Sequence, residues 1–323
     1  MARDRAGAIQ RARPQARGLA AFLRRYGMVV AFVLLMAVLS FLSDSFLTLS
    51  NLLNVTRQVS INAILAAGMT FVILTGGIDL SVGSVLALSG AVMAGLLSGG
   101  APLLLAIGAG LALGALLGLV NGLVITRGKV QPFIGTLAML TIARGITLVY
   151  TDGRPITGLP DAFVWLGAGE VIRLPVPILI MGLVFLVTYV ILTQAVPGRY
   201  VYAIGGNEEA ARLSGVNVTL YKTLAYVASG LFSAISAVIL TARLNSAQPT
   251  AGSGFELDAI AAVVLGGTTL AGGEGSIGGT LLGALIIGVI NNGLNLLNVS
   301  SFYQLVAKGV VILLAVLLDR RLR

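Results

Sequence analysis

The chain contains no cysteine and no histidine. Disulfides, thiolate metal sites, cysteine nucleophiles, Ser-His-Asp catalysis and histidine proton relays are thereby excluded. The missing cysteines say little about the redox compartment. Charge is also scarce: 10% of the 323 residues are charged, against about 25% in an ordinary soluble domain. Apolar residues take that place, at 57% with a mean hydropathy of +0.99. A soluble core could not bury this much apolar surface and keep a polar shell, so the bilayer is the natural solvent. A spanning helix takes about 20 apolar residues, so the length allows roughly ten spans. The apolar runs are long and continuous, unlike the alternating strands of a transmembrane β-barrel. The 42 glycines are spread through them. In water they would weaken helices; in lipid they let backbones approach closely. The fold class expected is an all-α polytopic membrane protein, packed as a tight bundle.

The net charge is +9, but it is not read as a nucleic-acid footprint. Arg3, Arg5, Arg11, Arg13, Arg17, Arg24 and Arg25 precede the first apolar run, as in a cytoplasmic tail obeying the positive-inside rule. The run from Met28 to Leu42 is long for a secretory signal, and no convincing A-x-A-like cleavage site follows. Residues 1–26 are therefore expected as a basic cytoplasmic tail and 27–319 as the transmembrane domain. Spans are placed at roughly 27–46, 52–75, 80–99, 102–126, 130–150, 176–195, 222–243, 257–271, 276–297 and 302–319. An even count returns the C-terminus, 320–323 with Arg320, Arg321 and Arg323, to the cytoplasm. The connection with Arg127 and Lys129 and the loop 196–222 with Arg199, Arg212 and Lys222 then fall inside. The loop 151–175 and the nearly uncharged stretch around Gln248-Pro249-Thr250 fall outside, so the basic clusters share one side.

One internal similarity is visible. Residues 72–80 resemble 262–270, and each segment is soon followed by a Ser-apolar-Gly step, at Ser81-Val82-Gly83 and Ser276-Ile277-Gly278. Duplicated halves are common in transporters, although Gly-rich apolar sequence also matches itself easily.

The inner loop holds Gly205-Gly206-Asn207-Glu208-Glu209-Ala210-Ala211-Arg212-Leu213-Ser214-Gly215. Asn207 is a good N-cap. Glu208 and Glu209 suit the first turn of a helix and Arg212 its end, and Gly215 can close it in the left-handed conformation. A capped helix of about eight residues, roughly 12 Å long, is expected, with Ala210, Leu213 and Ile204 as its apolar face. It reads either as a self-capped connector or as a rigid element that receives force from another chain.

This loop, with its Glu-Ala-Ala pattern, resembles the coupling helix of ABC importer permeases. Gly76-Gly77-Ile78-Asp79-Leu80-Ser81-Val82-Gly83-Ser84, the stretch Leu257 to Thr268 and Asn291-Asn292-Gly293-Leu294-Asn295-Leu296-Leu297 resemble the branched-chain amino acid and ribose-type permease superfamily. Ser246-Ala247-Gln248-Pro249-Thr250-Ala251-Gly252 and Gly205-Gly206-Asn207-Glu208 place the resemblance nearest its ribose-type members. It covers about Phe46 to Asp319. It implies a ten-span subunit that works as a homodimer, with the sugar path at the dimer centre. It also implies a periplasmic sugar-binding protein and a cytoplasmic ATPase subunit that holds ATP and Mg. No cofactor or metal is expected on this chain, and no Gly-Lys-Ser/Thr follows its Gly-Gly pairs, so it is not its own ATPase.

Gly76, Gly77, Asp79 and Ser81 make a poor helix interior. A break at membrane depth is tolerated only where protein or a water-filled cavity satisfies the backbone. The segment reads as part of the path or gate, or as a tight turn with Asp79 capping the third span. Asn62, Asn121, Arg144, Asn291, Asn292, Asn295 and Lys308 lie within predicted spans. The amides either touch sugar or link helices, and the cations are functional or snorkel. Outside, Asp152, Arg154, Asp161, Trp165, Glu170 and Arg173 form a mixed-charge surface suited to docking a soluble partner, and Trp165 equally suits a headgroup anchor. An ion-coupled secondary sugar transporter is the alternative to an ATP-driven permease. It needs central carboxylates or histidine, whereas Asp79, Glu256, Asp258 and Glu274 are expected at span ends. A membrane-embedded enzyme lacks the residues for the usual acid–base or metal sites.

Overall fold

The structure, a computed structural model, describes residues 14–300, 302–306, 309–310 and 313. Lys308 and the C-terminal arginines lie outside the described residues, as do the first 13 residues. The elements are α1 (Pro14–Leu42), α2 (Leu49–Leu74), α3 (Val82–Ser98), α4 (Leu103–Thr126), α5 (Pro132–Thr151), β1 (Ile156–Thr157), α6 (Asp161–Ala168), β2 (Glu170–Val171), β3 (Leu174–Pro175), α7 (Val176–Thr193), α8 (Val196–Gly206), α9 (Glu208–Leu213), α10 (Val218–Leu244), β4 (Ser246–Ala247), α11 (Phe255–Leu265) and α12 (Ile277–Leu296). Residues 302–306 are also helical. Among the described residues, α2, α4, α5, α7, α10 and α12 are long and apolar enough to cross a membrane.

Burial sorts these helices into an inner and an outer set. Most of the apolar stretch of α2 is buried, 83%, against 22% in α4, 28% in α5 and 33% in α7. From Ala63 to Leu74 every residue of α2 is buried. The outer helices expose Leu104, Leu116, Leu183, Leu186 and similar side chains. In lipid this outward apolar surface is the solvated state and costs nothing.

Between α4 and α10 the bundle is held by backbone contact, and elsewhere a continuous cluster of buried apolar side chains fills it. Ala106, Gly110, Gly114, Gly118 and Gly122 recur every fourth residue of α4, and all are buried. A Cβ at Gly114 would lie 2.5 Å from the Gly230 carbonyl oxygen; one at Gly118 would strike the carbonyl of Tyr226, and one at Gly122 would lie 2.8 Å from the Thr223 Cα. Partners on α10 descend as positions on α4 ascend, so the two helices run antiparallel in close register. Small residues permit such an approach, and dispersion and lipid release drive it.

The loops segregate to two ends. Lys129, Gln131, Glu208, Arg212 and Lys222 line one cleft, so the connections expected on the inside do share an end. At the opposite end β1 pairs with β4, Ile156 opposite Ala247; the expected outer loops meet there.

Two expected spans differ from the helices observed. Helix α3 has 17 residues and α11 only 11, the latter about 16 Å long against a hydrocarbon core of roughly 30 Å. The chain before α11 is drawn into the bundle instead. Arg144 on α5 donates from Nη1 to the carbonyls of Pro249 at 2.6 Å and Ala251 at 2.9 Å. Gly252, at φ +72°, packs against the Gly83 backbone at the start of α3. Arg144 therefore clamps an entering loop rather than snorkelling. Helix α1 also begins well ahead of the expected 27, at Pro14.

Candidate functional site

The inner loop folds as its residues dictate. The Asn207 Oδ1 accepts from the Ala210 N–H at 2.9 Å, capping α9. Arg212 pairs with Glu208 at 3.1 Å and with Glu209 at 3.6 Å, and Lys222 reaches Glu208 at 2.9 Å. Gly215 closes the turn at φ +86°. The helix has six residues, shorter than expected. Its apolar side also divides differently. Ile204, Ala211 and Val218 form a small core of their own, whereas Ala210 and Leu213 face outward, Leu213 at 81% exposure. Ile204 thus anchors the loop, and Leu213 is its exposed apolar contact.

Three glycine pairs meet behind this loop. A Cβ on Gly205 would strike the Leu74 carbonyl oxygen and the Gly273 nitrogen, and one on Gly272 would lie 2.8 Å from the Gly76 nitrogen. The Gly273 N–H donates to the Leu74 carbonyl at 3.0 Å. The Tyr202 hydroxyl donates to the Gly275 carbonyl at 3.0 Å, and burial pushes its pKa above the ordinary phenol range, so it remains a donor. Helix α8 is therefore wedged against the ends of both broken segments, 75–81 and 266–276.

Those segments are the two that resemble each other in sequence. Each leaves a helix through a left-handed glycine, Gly76 at φ +76° and Gly267 at φ +80°. Each enters the next helix just after a serine, Ser81 or Ser276. In the first, Asp79 is 1% exposed. It does not cap α3 through its first-turn amides. One oxygen accepts from the Ser81 N–H at 2.9 Å and the Ser81 hydroxyl at 2.6 Å, and the other from the Ser229 hydroxyl at 2.7 Å. Asn121 donates to Ser81 at 2.9 Å. Asp79 thus pins the break to α10, and Asn121 ties it to α4. Gly77 leaves room for the buried Tyr226 hydroxyl.

The remaining amides separate. Asn292 and Asn51 exchange hydrogen bonds of 2.9 and 3.0 Å, joining α12 to α2. Asn295 accepts from Gln304 at 2.8 Å. Asn62 and Asn291 share a cavity of about 240 Å³ with Gln58, Arg243, Phe255 and Asp258, between α2, α10, α11 and α12. Asp79 and Asp258, expected at span ends, do stand at helix ends, but both ends lie inside the bundle, at 1% and 4% exposure.

At the outer end Asp152, Arg154, Asp161, Trp165, Glu170 and Arg173 are all exposed. Arg57 of α2 pairs with Glu170. The hairpin β2–β3 turns through Ile172 and Arg173, at φ +50° and +63°. A left-handed β-branched residue is unfavourable, and Ile172 stands 92% exposed at the tip.

Sequence reasoning missed Arg57, Gln58, Arg243 and Ile172. The first three were hidden inside apolar windows, and their neighbours come from helices far apart in the chain. Ile172 carries no sequence signal of its own, since a two-residue turn through a β-branched residue is not one that local propensity favours.

Residues 51–316 match the family described as branched-chain amino acid transport system / permease component. The ribose import permease protein RbsC of Escherichia coli (strain K12) is 54% identical over 93% of this chain and 95% of its own length. That of Bacillus subtilis (strain 168) is 57% identical over 93% and 94%. The D-allose transport system permease protein AlsC of Escherichia coli (strain K12) is 42% identical over 93% of both chains. No solved structure matches. With its apolar helices and a family match along most of its length, this multi-pass membrane chain belongs to the branched-chain amino acid transport system permease family.

Proposed function

We propose that this chain is the permease subunit of an ATP-driven, binding-protein-dependent importer in a bacterial inner membrane, and that its sugar is ribose. The observation that carries the substrate is the fall in identity. It is 54% and 57% to two ribose permeases, but 42% to the D-allose and 40% to the L-arabinose permease. The chain is a conduit and not an enzyme; ATP and Mg belong to a separate cytoplasmic subunit.

Helix α9, with Leu213 and Ala210 outward, docks that ATPase. Its ion pairs and its cap keep a short element stiff enough to receive force. The junction at Gly205 carries the push to the broken segments, with Gly76 and Gly77 as the moving gate and Asp79, Ser81 and Asn121 holding its frame. On the opposite end, Asp152, Arg154, Asp161, Trp165, Glu170 and Arg173 receive the periplasmic sugar-binding protein, and Ile172 adds an apolar tip to that surface. Ten crossings with both termini cytoplasmic follow from adding α1, α3, the loop with α11, and the C-terminal stretch to the six long helices. Two copies would frame one path.

The test is reconstitution in liposomes with the cognate ATPase and binding protein. Ribose uptake that requires ATP, and exceeds D-allose and L-arabinose uptake, is expected. Uptake by the chain alone under an ion gradient without ATP would overturn the reading.

A further inference from the structure

We infer that the cavity between α2, α10, α11 and α12 is a resting station for the sugar in transit, one per copy, recognised by Asn62, Asn291 and Asp258. This rests on the permease reading above and adds to it a binding site and its determinants.

The first support is position. Asn62 lies midway along α2, and Phe255 and Asp258 lie in the first turn of α11. That turn begins where the loop clamped by Arg144 reaches into the bundle. A half-length helix starting inside the bundle, with its first turn facing a cavity, is the arrangement by which broken helices hold substrates near the membrane midplane.

The second is unsatisfied chemistry. The side-chain oxygens of Asn62 and Asn291 are buried and have no hydrogen-bond partner among the described residues. Buried acceptors are normally satisfied. Both asparagines line this cavity. The Asn62 amide nitrogen donates to Asp258 at 3.4 Å; its oxygen has no partner and is turned away from the open space, so a ligand hydroxyl reaches it once the side chain rotates into the cavity.

The third is the chemical class. Three amides, Gln58, Asn62 and Asn291, with a carboxylate, Asp258, a guanidinium, Arg243, and one aromatic face, Phe255, line a space of about 240 Å³. Amides and a carboxylate suit hydroxyls that both donate and accept, and the ring suits the apolar face of a sugar. The volume lies below the roughly 300–1,000 Å³ of drug-sized pockets, room for a monosaccharide and not for a disaccharide. No group of acidic residues that could hold a metal ion is present among the described residues. The site is built to be weak. Few fixed donors converge on it, and a sugar delivered by a binding protein must leave again.

The absence of cysteine makes the test clean. In the importer reconstituted with its ATPase and binding protein, Asn291→Cys introduces a lone thiol in the cavity and Ser98→Cys one at the exposed end of α3. The expected result is that ribose during ATP turnover slows methanethiosulfonate labelling of Asn291→Cys but not of Ser98→Cys. Labelling of Asn291→Cys should also cut ribose uptake about tenfold or more, the loss of at least one hydrogen bond and of space for the sugar. In a second measurement, Asn62→Leu should lower ribose uptake per ATP hydrolysed while binding-protein-stimulated hydrolysis persists. A merely structural role would lower both together. Labelling of Asn291→Cys that is indifferent to ribose, or a labelled complex that transports at full rate, overturns the station while leaving the permease reading standing. A wild-type complex that moves no ribose with ATP overturns the permease reading itself.

Discussion

Adding one methyl group at Gly205 should uncouple the protein, whereas the same methyl on its neighbour should do nothing. A Cβ at Gly205 meets two backbone atoms, the Leu74 carbonyl oxygen and the Gly273 nitrogen, and neither can swing aside. At Gly206 it meets nothing within 4 Å. Overpacking of this kind costs about 1–3 kcal/mol. Alanine returns up to about 1 kcal/mol over glycine inside a helix, less at the end of α8. The net cost, from about zero to about 3 kcal/mol, falls on the contact that joins α8 to both broken segments. Gly205→Ala should therefore lower the thermal midpoint in detergent and, where the junction carries the push, ribose uptake per ATP hydrolysed several-fold. Gly206→Ala should match the wild type or melt slightly higher. If the two variants behave alike, the junction between α8, Leu74 and Gly273 is not a mechanical contact.

Arg144→Met should leave the carbonyls of Pro249 and Ala251 without their donor, at about 1.5–3 kcal/mol per bond to a charged group; a thermal midpoint unchanged from wild type would contradict the clamp. Exchanging Glu208 and Arg212 keeps an i,i+4 pair but sets the introduced arginine against Lys222. The half-exposed pair contributes only about 0.3–0.5 kcal/mol, so melting should barely move while co-purification of the ATPase falls; retention of the ATPase at wild-type level would refute the docking role of α9. Asn292→Leu breaks the reciprocal amide pair with Asn51, for which about 0.6 kcal/mol and at most about 1.7 is expected in a bilayer, read as a modest drop in thermal midpoint with transport retained.

Local chemistry makes the inner loop legible in the sequence. Asn207, Glu208, Arg212 and Gly215 cap, charge and close α9 within ten residues of chain, so near neighbours decide the outcome. The long apolar helices are legible for the same reason. The short ones are not. The break at Gly76-Gly77 is legible, because Asp79 and Ser81 follow it, but a hydropathy window runs on across Gly266-Gly267, where the backbone turns left-handed and the helix stops. The cavity is invisible in the chain because its walls come from positions 58–62, 240–243, 255–258 and 284–291. Only packing unites them. Asp258 reads as a residue at a span end, and it does stand at a helix end, but one carried into the bundle by the loop that Arg144 holds.

On the function proposed above, a push received at α9 must become a displacement at membrane depth, and the glycine junction offers a route of direct backbone contact. Helix α9 is stiff, and α8 joins it through the single residue Asn207. Gly205 transmits to Leu74 and Gly273 by backbone contact, with no side chain between to absorb the motion. Close-packed interiors pass strain on rather than dissipating it. Leu74 ends α2, which carries Asn62; Gly273 lies between α11, which carries Asp258, and α12, which carries Asn291. One junction therefore addresses three walls of the proposed sugar station at once. Asp79 holds its segment to Ser229 on α10, and α10 is locked against α4 along the glycine stripe, so that pair forms the fixed side against which the others move. Removing the Asp79 pin without changing its shape, by Asp79→Asn, should loosen the fixed side. Hydrolysis by the ATPase would continue while ribose uptake per ATP falls. Equal loss of hydrolysis and uptake would place Asp79 in assembly of the fold and not in the transmission of force.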